Sequence, residues 1–512
     1  MTGRASRLAV VAALLLTACQ PNRFVTGWMP YWSGSDGRAA IGTADVASLY
    51  SEVSTFWHSA NADGSVSLKA SGSSLTTAVT AIRAAGLPVI PSITDGTAKD
   101  VMRGILDDPV KRANHVAKIT KLVIDNAYDG IDLDYEGFAF VDGSATWSAT
   151  KPDWISFVRE LATALHAKGK VLSVTVPPVY VSSGVTRGYT VYAQPEIAPY
   201  VDRLRLMVYD WSVGAAGSIA PMWWVNAVIA YSSSVVPVKK LQLGINAYGR
   251  HWWTKADATE VCPEGALQSH DSIEMTEGPA LATANGATPV RDSSGEMKLV
   301  WDVKVSGPRG TSIPPPKWTA PRPAVTTIGR PAVGTGLAPA LRLAPAGITT
   351  CTVRHIAYYP DATIIRQRAE AALAAGWSGV AIWAMGYEDS SVYEALGDIA
   401  AQRPNGDPTA SLDAPVVTGG SLRFTGAVYD PEFDLPVGAH LRVTRSSDSS
   451  LVYETTVTAN ANRVGLPTGL GPFHGLDVTT TLAPGSYRAC VVPVQWGGTD
   501  GTASSCQSFT VT

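Results

Sequence analysis

Between residue 24 and about residue 403, short apolar runs alternate with stretches whose apolar positions recur every three to four residues. The runs are 24–28, 53–57, 88–92, 130–134, 171–176, 204–209, 241–245 and 379–383. Runs this short read as strands. The stretches between them, such as 75–85, 154–167 and 364–375, fit amphipathic helices, the last stopped by Gly376 as a C-cap. Eight β-α units predict an α/β fold, a closed (β/α)8 TIM barrel, with its active site at the C-terminal ends of the strands.

Two segments break the rhythm. Residues 254–357 contain strand-like pieces such as 297–303 and a Pro/Gly-rich stretch at 307–347. They read as an insertion after strand seven. At 404–413, opening on Pro404-Asn405-Gly406-Asp407-Pro408, the composition changes to that of a linker. From 414 to 512 the apolar positions alternate with period two, as in Leu422-Arg423-Phe424, Leu441-Arg442-Val443 and Tyr487-Arg488-Ala489. That region predicts an all-β sandwich. The barrel region spans 22–403.

The 512 residues exceed one compact domain and are consistent with this division. A net charge of −3 gives no electrostatic case for nucleic acid. Fifteen Trp either fill cores or stack on sugar rings, because an indole covers the apolar face of a pyranose.

Residues 1–19 read as an export signal. Arg4 and Arg7 precede a short apolar run that ends in Leu16-Thr17-Ala18-Cys19. That tetrad resembles the bacterial lipobox, in which the cysteine is lipidated; a simply cleaved signal peptide is the other reading. Either way the chain is expected on the outer side of the cell envelope, lipid-anchored at Cys19 or secreted. Any membrane contact would be through that anchor alone. Setting Cys19 aside leaves four cysteines, and exported proteins tend to pair them. Three pairings are possible. Proximity in the chain favours Cys490–Cys506, and Cys262–Cys351 would bracket the insertion and tie its base. The spacing resembles no zinc site, and no metal or cofactor is expected.

The segment Asp129-Gly130-Ile131-Asp132-Leu133-Asp134-Tyr135-Glu136 alternates apolar residues with acids. On a strand, Asp132, Asp134 and Glu136 would project together, roughly 6–7 Å apart. Carboxylates converging in a barrel mouth repel one another, so some must hold protons at elevated pH. A carboxyl still protonated near neutrality is what a glycosidase needs at its leaving group. Judged on spacing alone, a calcium site or a solvated strand end would serve as well.

The full pattern resembles the D-x-x-D-x-D-x-E signature of glycoside hydrolase family 18, the chitinase and endo-N-acetylglucosaminidase family. Met207-Val208-Tyr209-Asp210 is similar to its M-x-Y-D motif, and Trp383 to the Trp that floors its sugar subsite. Where that family's third strand usually ends in S-x-G-G, this chain reads Ser92-Ile93-Thr94-Asp95-Gly96. The segments around Trp28, Tyr31 and Trp57, with Ile219–Trp224 and Tyr248-Gly249-Arg250, resemble the branch of spore cortex and cell-wall glucosaminidases.

The resemblance implies retaining, substrate-assisted hydrolysis of β-1,4-linked N-acetylglucosamine in chitin or peptidoglycan. Glu136 would be the acid, Asp134 would orient the acetamide, and Asp132 would share a proton with Asp134. Tyr209 and Asp210 would bind the acetamide and the distorted sugar. Asp129, Met207, Trp383, Trp28, Tyr31 and Trp57 are expected around the substrate, with Asp129 supporting the strand end. A polysaccharide is the expected partner, and the expected state is a monomer. A non-hydrolytic chitinase-like lectin is the alternative, although such lectins commonly lack the acid found at 136. The C-terminal sandwich resembles accessory modules of actinobacterial secreted proteins and would bind polysaccharide or act as a spacer.

Overall fold

The computed structural model describes residues 24–309, 347–401, 408–418, 421–429, 437–459, 461–467, 473–493 and 504–512. The export segment with Cys19, the first residues of the linker and nearly all of the Pro/Gly-rich stretch lie outside the described residues.

Eight strands form the barrel: β1 Phe24–Pro30, β2 Glu52–Phe56, β3 Ser92–Thr94, β4 Gly130–Asp134, β5 Val171–Val176, β6 Arg203–Met207, β7 Leu241–Asn246 and β8 Gly379–Trp383. Every neighbouring pair is parallel, and β1 pairs with both β2 and β8. The chain of β2 breaks at Trp57 and resumes as His58–Ala60. Val53 bridges Val89, while His58 and Ser59 pair with Ile93 and Thr94, which closes the barrel.

Two strands sit differently from expectation. The 88–92 run makes only the Val89 bridge, and regular pairing begins at Ser92; Pro88 and Pro91 have no N–H to give to a ladder. β6 stops at Met207, so Tyr209 and Asp210 stand in the loop above it. There Asp210 adopts a left-handed φ of 61°, a conformation Asp tolerates better than most residues. The helix expected at 154–167 is longer, Trp147–His166. Pro152 lies near its start, where the missing N–H costs one backbone bond.

The outward faces of the strands are apolar and pack on the helices; Ile131, Leu133, Val174, Leu204, Leu206 and Leu243 belong to one buried cluster. The barrel interior is polar. Arg205 on β6 reaches across to Ser54 and Glu52 on β2, and Gln242 on β7 reaches Thr26 on β1. A buried charge persists only where partners surround it, and these are paired throughout.

Among the described residues, the insertion forms a five-stranded antiparallel sheet with one helix, Glu277–Asn285. Its long strands are Tyr248–Lys255, Met297–Pro308 and Ile348–Tyr359. Buried Glu296 anchors it to the barrel by pairing with Arg368 and accepting the Ile219 N–H at 2.7 Å. Cys262 and Cys351 are bonded. They do not tie the base as expected. Arg250 and Tyr358 pair next to the barrel, whereas Cys351 lies beyond the Lys255–Val353 pair at the outer end. The bridge therefore fastens the loop after Lys255 to the distal part of the sheet.

Beyond the barrel lie a five-stranded and a four-stranded antiparallel sheet. Leu422, Phe424 and Leu476 from one share a core with Leu441, Val443, Tyr487 and Val491 from the other, a sandwich arrangement. Its first strand, Thr409–Leu412, falls within the stretch expected to be linker. Cys490 and Cys506 are bonded across adjacent strands.

Candidate active site

β4 sets the geometry. Its period of two sends Ile131 and Leu133 to the helices and Asp132 and Asp134 into the barrel. Glu136 follows two residues on, at the head of a short helical turn, Gly137–Phe140. Tyr192 fixes the strand end by donating its hydroxyl to the Tyr135 carbonyl at 2.6 Å. The Asp95 carboxylate accepts the backbone N–H groups of Glu136 (2.7 Å), Gly137 (2.6 Å) and Phe138 (3.0 Å).

Asp132 is the lowest acid. It accepts from Trp28 Nε1 (3.2 Å), Ser92 Oγ (2.7 Å) and Thr175 Oγ1 (3.0 Å), and it lies 3.2 Å from Arg205 Nη1. Asp134 lies above it, with a buried Oδ1 that has no hydrogen-bond partner among the described residues. Burial first, and then the Glu136 and Asp132 carboxylates, hold the Asp134 carboxyl well above the ordinary carboxylate range. Glu136 is pushed up to about 7, first by burial and then by Asp95 and Asp210, with Lys69 opposing.

These groups open into a cleft of about 650 Å³, lined by Trp28, Asp134, Glu136, Met207, Tyr209, Asp210 and Trp383. Trp383 packs edge-on against Phe56 (4.9 Å), Trp28 (6.1 Å) and Trp32 (6.1 Å). Asp210 accepts from the Tyr248 hydroxyl and from Arg250 at 2.8 Å. The hairpin Val179–Ser182 and Val185–Gly188 walls another side. Gly188 must be glycine: its φ is 99°, and a Cβ would lie 2.2 Å from the Pro178 carbonyl. From that wall Tyr180, Trp211 and the exposed Trp223 extend an aromatic surface, with ring separations of 6.1 and 4.9 Å. Among the described residues no cluster of His, Cys, Asp or Glu is arranged to hold a metal ion.

Seven of the expected residues thus line the cleft, and Asp132 lies under its floor. Three do not. Asp129 is at the opposite, N-terminal end of β4, where its carboxylate accepts the Val89 N–H at 2.8 Å and supports that strand end. Trp57 has the wrong parity: it points to the helices, wholly buried, and donates to Ser74. Tyr31 packs on Trp57 and Trp32 outside the cleft lining. The Asp132 carboxylate is turned toward Trp28, Ser92, Thr175 and Arg205, and its charge acts on Asp134 above it. Asp95, Arg205, Tyr248 and Arg250 were not singled out as site residues. The departure at Asp95 from S-x-G-G and the Tyr248-Gly249-Arg250 segment are the visible signals among them; Arg205 has none.

The sequence profile described as glycosyl hydrolases family 18 matches residues 27–388. "Putative sporulation-specific glycosylase YdhD" of Bacillus subtilis is 25% identical over 268 residues, 50% of this chain and 60% of that protein. The cortical fragment-lytic enzyme of B. subtilis is 26% identical over 172 residues, 32% of this chain and 37% of that one. The match therefore spans less than two thirds of either relative. In structure, the chitinase of Chromobacterium violaceum ATCC 12472 superposes with a TM-score of 0.55 at 19% identity, covering 74% of this chain and all of that one. The likeness extends to the barrel fold.

Proposed function

The chain belongs to the glycosyl hydrolases family 18, and from that membership we propose that it is a retaining glycoside hydrolase cleaving β-1,4-linked N-acetylglucosamine in chitin or peptidoglycan. The observation that carries this reading is a carboxyl held protonated to about pH 7, Glu136, beside a second buried carboxyl, Asp134, on one strand face in the cleft. Of the described cleft carboxylates, Asp210 is already engaged by Tyr248 and Arg250. Asp134 is the only other candidate nucleophile, and it sits in an environment that favours its protonated form.

The substrate's own 2-acetamido oxygen then attacks the anomeric carbon as Glu136 gives its proton to the departing glycosidic oxygen. An oxazolinium ion forms, and Asp134 stabilises its N–H. Glu136, now a carboxylate, takes a proton from water, which opens the oxazolinium with net retention. Trp383 supplies the stacking floor, and Tyr209 reaches the acetamide.

The relatives' names, a sporulation-specific glycosylase and a cortical fragment-lytic enzyme, favour a cell-wall substrate. The two disulfides fit an oxidising compartment outside the cytoplasm. We read Cys19 as a lipid anchor; Cys19→Ser should then move the protein out of the membrane fraction, and a wild type found wholly free in the medium would contradict it. The test of the reaction is incubation with N-acetylglucosamine oligomers, matching glucose oligomers, chitin and peptidoglycan, with product masses and initial anomers recorded. Cleavage of acetylated substrates alone, with retained configuration, supports the proposal. Inverted products or equal rates on glucose oligomers would end it.

A further inference from the structure

We propose that Asp95 is the positioning residue of this active site: its carboxylate clamps the turn that carries Glu136 and, when ionised, sets a negative charge against that side chain. The proposal rests on the reading of Glu136 as the catalytic acid.

The clamp is built from both sides. Asp95 is nearly excluded from solvent and accepts three consecutive N–H groups, those of Glu136, Gly137 and Phe138. Burial raises the Asp95 carboxyl above its ordinary value, and the three N–H donors oppose this by favouring its ionised, acceptor-only form. The approach is close enough to require glycine at 137, since a Cβ there would lie 2.9 Å from Asp95 Oδ2 and 3.0 Å from its carbonyl. The loop bearing Asp95 is itself pinned. The Gly96 N–H donates to Ser59 Oγ at 3.2 Å, and a Cβ on Gly96 would lie 2.6 Å from that oxygen. Ser59 belongs to the strand piece after Trp57, so the barrel closure is linked to the seat of the acid.

The turn it clamps is only four residues long, Gly137–Phe140, too short to hold itself by helix propensity. Without Asp95 the first three N–H groups would lose their acceptor, and the Glu136 backbone would lose its anchor. The charge has a second effect. Asp95 is the foremost charged group among the causes that raise Glu136, ahead of Asp210 and against Lys69. Asp134 and the phenols of Tyr189, Tyr192 and Tyr209 also face Glu136, and Tyr135 and Tyr192 face Asp95. Of these, Asp95 alone both bonds the Glu136 backbone and carries charge beside it.

Position and charge separate by substitution. Asp95→Asn keeps an acceptor oxygen but removes the charge. The alkaline limb of the pH–rate profile, where Glu136 loses its proton, should then move down by about one pH unit, with a smaller effect on the acidic plateau. Asp95→Ala removes both, and its plateau kcat should fall by about 100-fold as the acid loses its seat. Gly137→Ala, which displaces the Asp95 carboxylate while leaving both acids in the chain, should move the limb in the same direction as Asp95→Asn. The full-length protein would be used, with rates on an N-acetylglucosamine oligomer and a parallel ¹³C NMR titration of the Glu136 carboxyl. Absence of wild-type hydrolysis, or wild-type turnover in Glu136→Gln, would defeat the functional reading; the NMR titration would still decide the role of Asp95. An unchanged Glu136 titration in folded Asp95→Asn and Gly137→Ala would overturn the inference.

Discussion

Arg205 Nη1 lies 3.2 Å from the Asp132 carboxylate, and both side chains are wholly buried at the centre of the barrel. The same guanidinium bonds Ser54, Glu52 and Gln242, so one cation serves two buried carboxylates. Asp132 is thereby held from below, and Trp28, Ser92 and Thr175 fix it from the sides.

Arg205→Met should therefore destabilise the fold by about 3–5 kcal/mol, because it leaves buried Asp132 without a cation and Glu52 with Arg203 alone. Arg205→Lys should recover part of this, since an ammonium keeps the charge but not the fork of donors. Urea denaturation measures both. A midpoint unchanged in Arg205→Met would show that the polar interior is not held by this residue.

Glu136 predicts a pH-dependent stability difference. Its ordinary value is 4.5, and the fold raises it to about 7. Below the ordinary value both folded and unfolded chains hold the proton. Between the two values only the folded chain holds it, so this residue's contribution declines as pH rises through that window and is lost above about 7. Glu136→Gln has no proton to lose. It should gain stability relative to wild type on going from pH 4 to pH 8, measured by denaturation at each pH. A constant difference across that range would mean that burial does not raise this carboxyl.

The parity of strand positions separates Trp57 from Trp383. Trp57→Ala should cost about 3–5 kcal/mol of stability as a vacated core site. Trp383→Ala should leave stability nearer wild type and lower kcat/KM on oligosaccharides by about tenfold, through the loss of ~1.5 kcal/mol of ring stacking. The two variants would be compared by denaturation midpoint and by steady-state kinetics. A kinetic defect confined to Trp57→Ala would reverse the assignment.

The barrel was legible in the sequence because short strand-like runs and amphipathic stretches alternate eight times. The acids Asp132, Asp134 and Glu136 were legible because a period of two puts them together. The same rule separates what was misread. Glu52, Ser54 and Phe56 share the interior face of β2, so Trp57 must face the helices. On β1, Thr26 and Trp28 face inward, and that parity continues to Trp32, which meets Trp383, rather than to Tyr31. Asp129 belongs to the motif but stands at the far end of its strand. Asp95 and Arg205 could not be found this way. Their roles come from residues 41 and 73 positions distant in the chain, brought close only when the barrel closes.

Glu136 is the residue on which the proposed chemistry turns. The deciding measurement is the turnover of an N-acetylglucosamine oligomer by Glu136→Gln beside wild type, with both shown folded by their denaturation curves. Loss of the acid should lower kcat by about 10²–10⁴-fold. A folded variant that turns over at close to the wild-type rate would contradict the assignment of Glu136 as the proton donor, and with it the proposed mechanism.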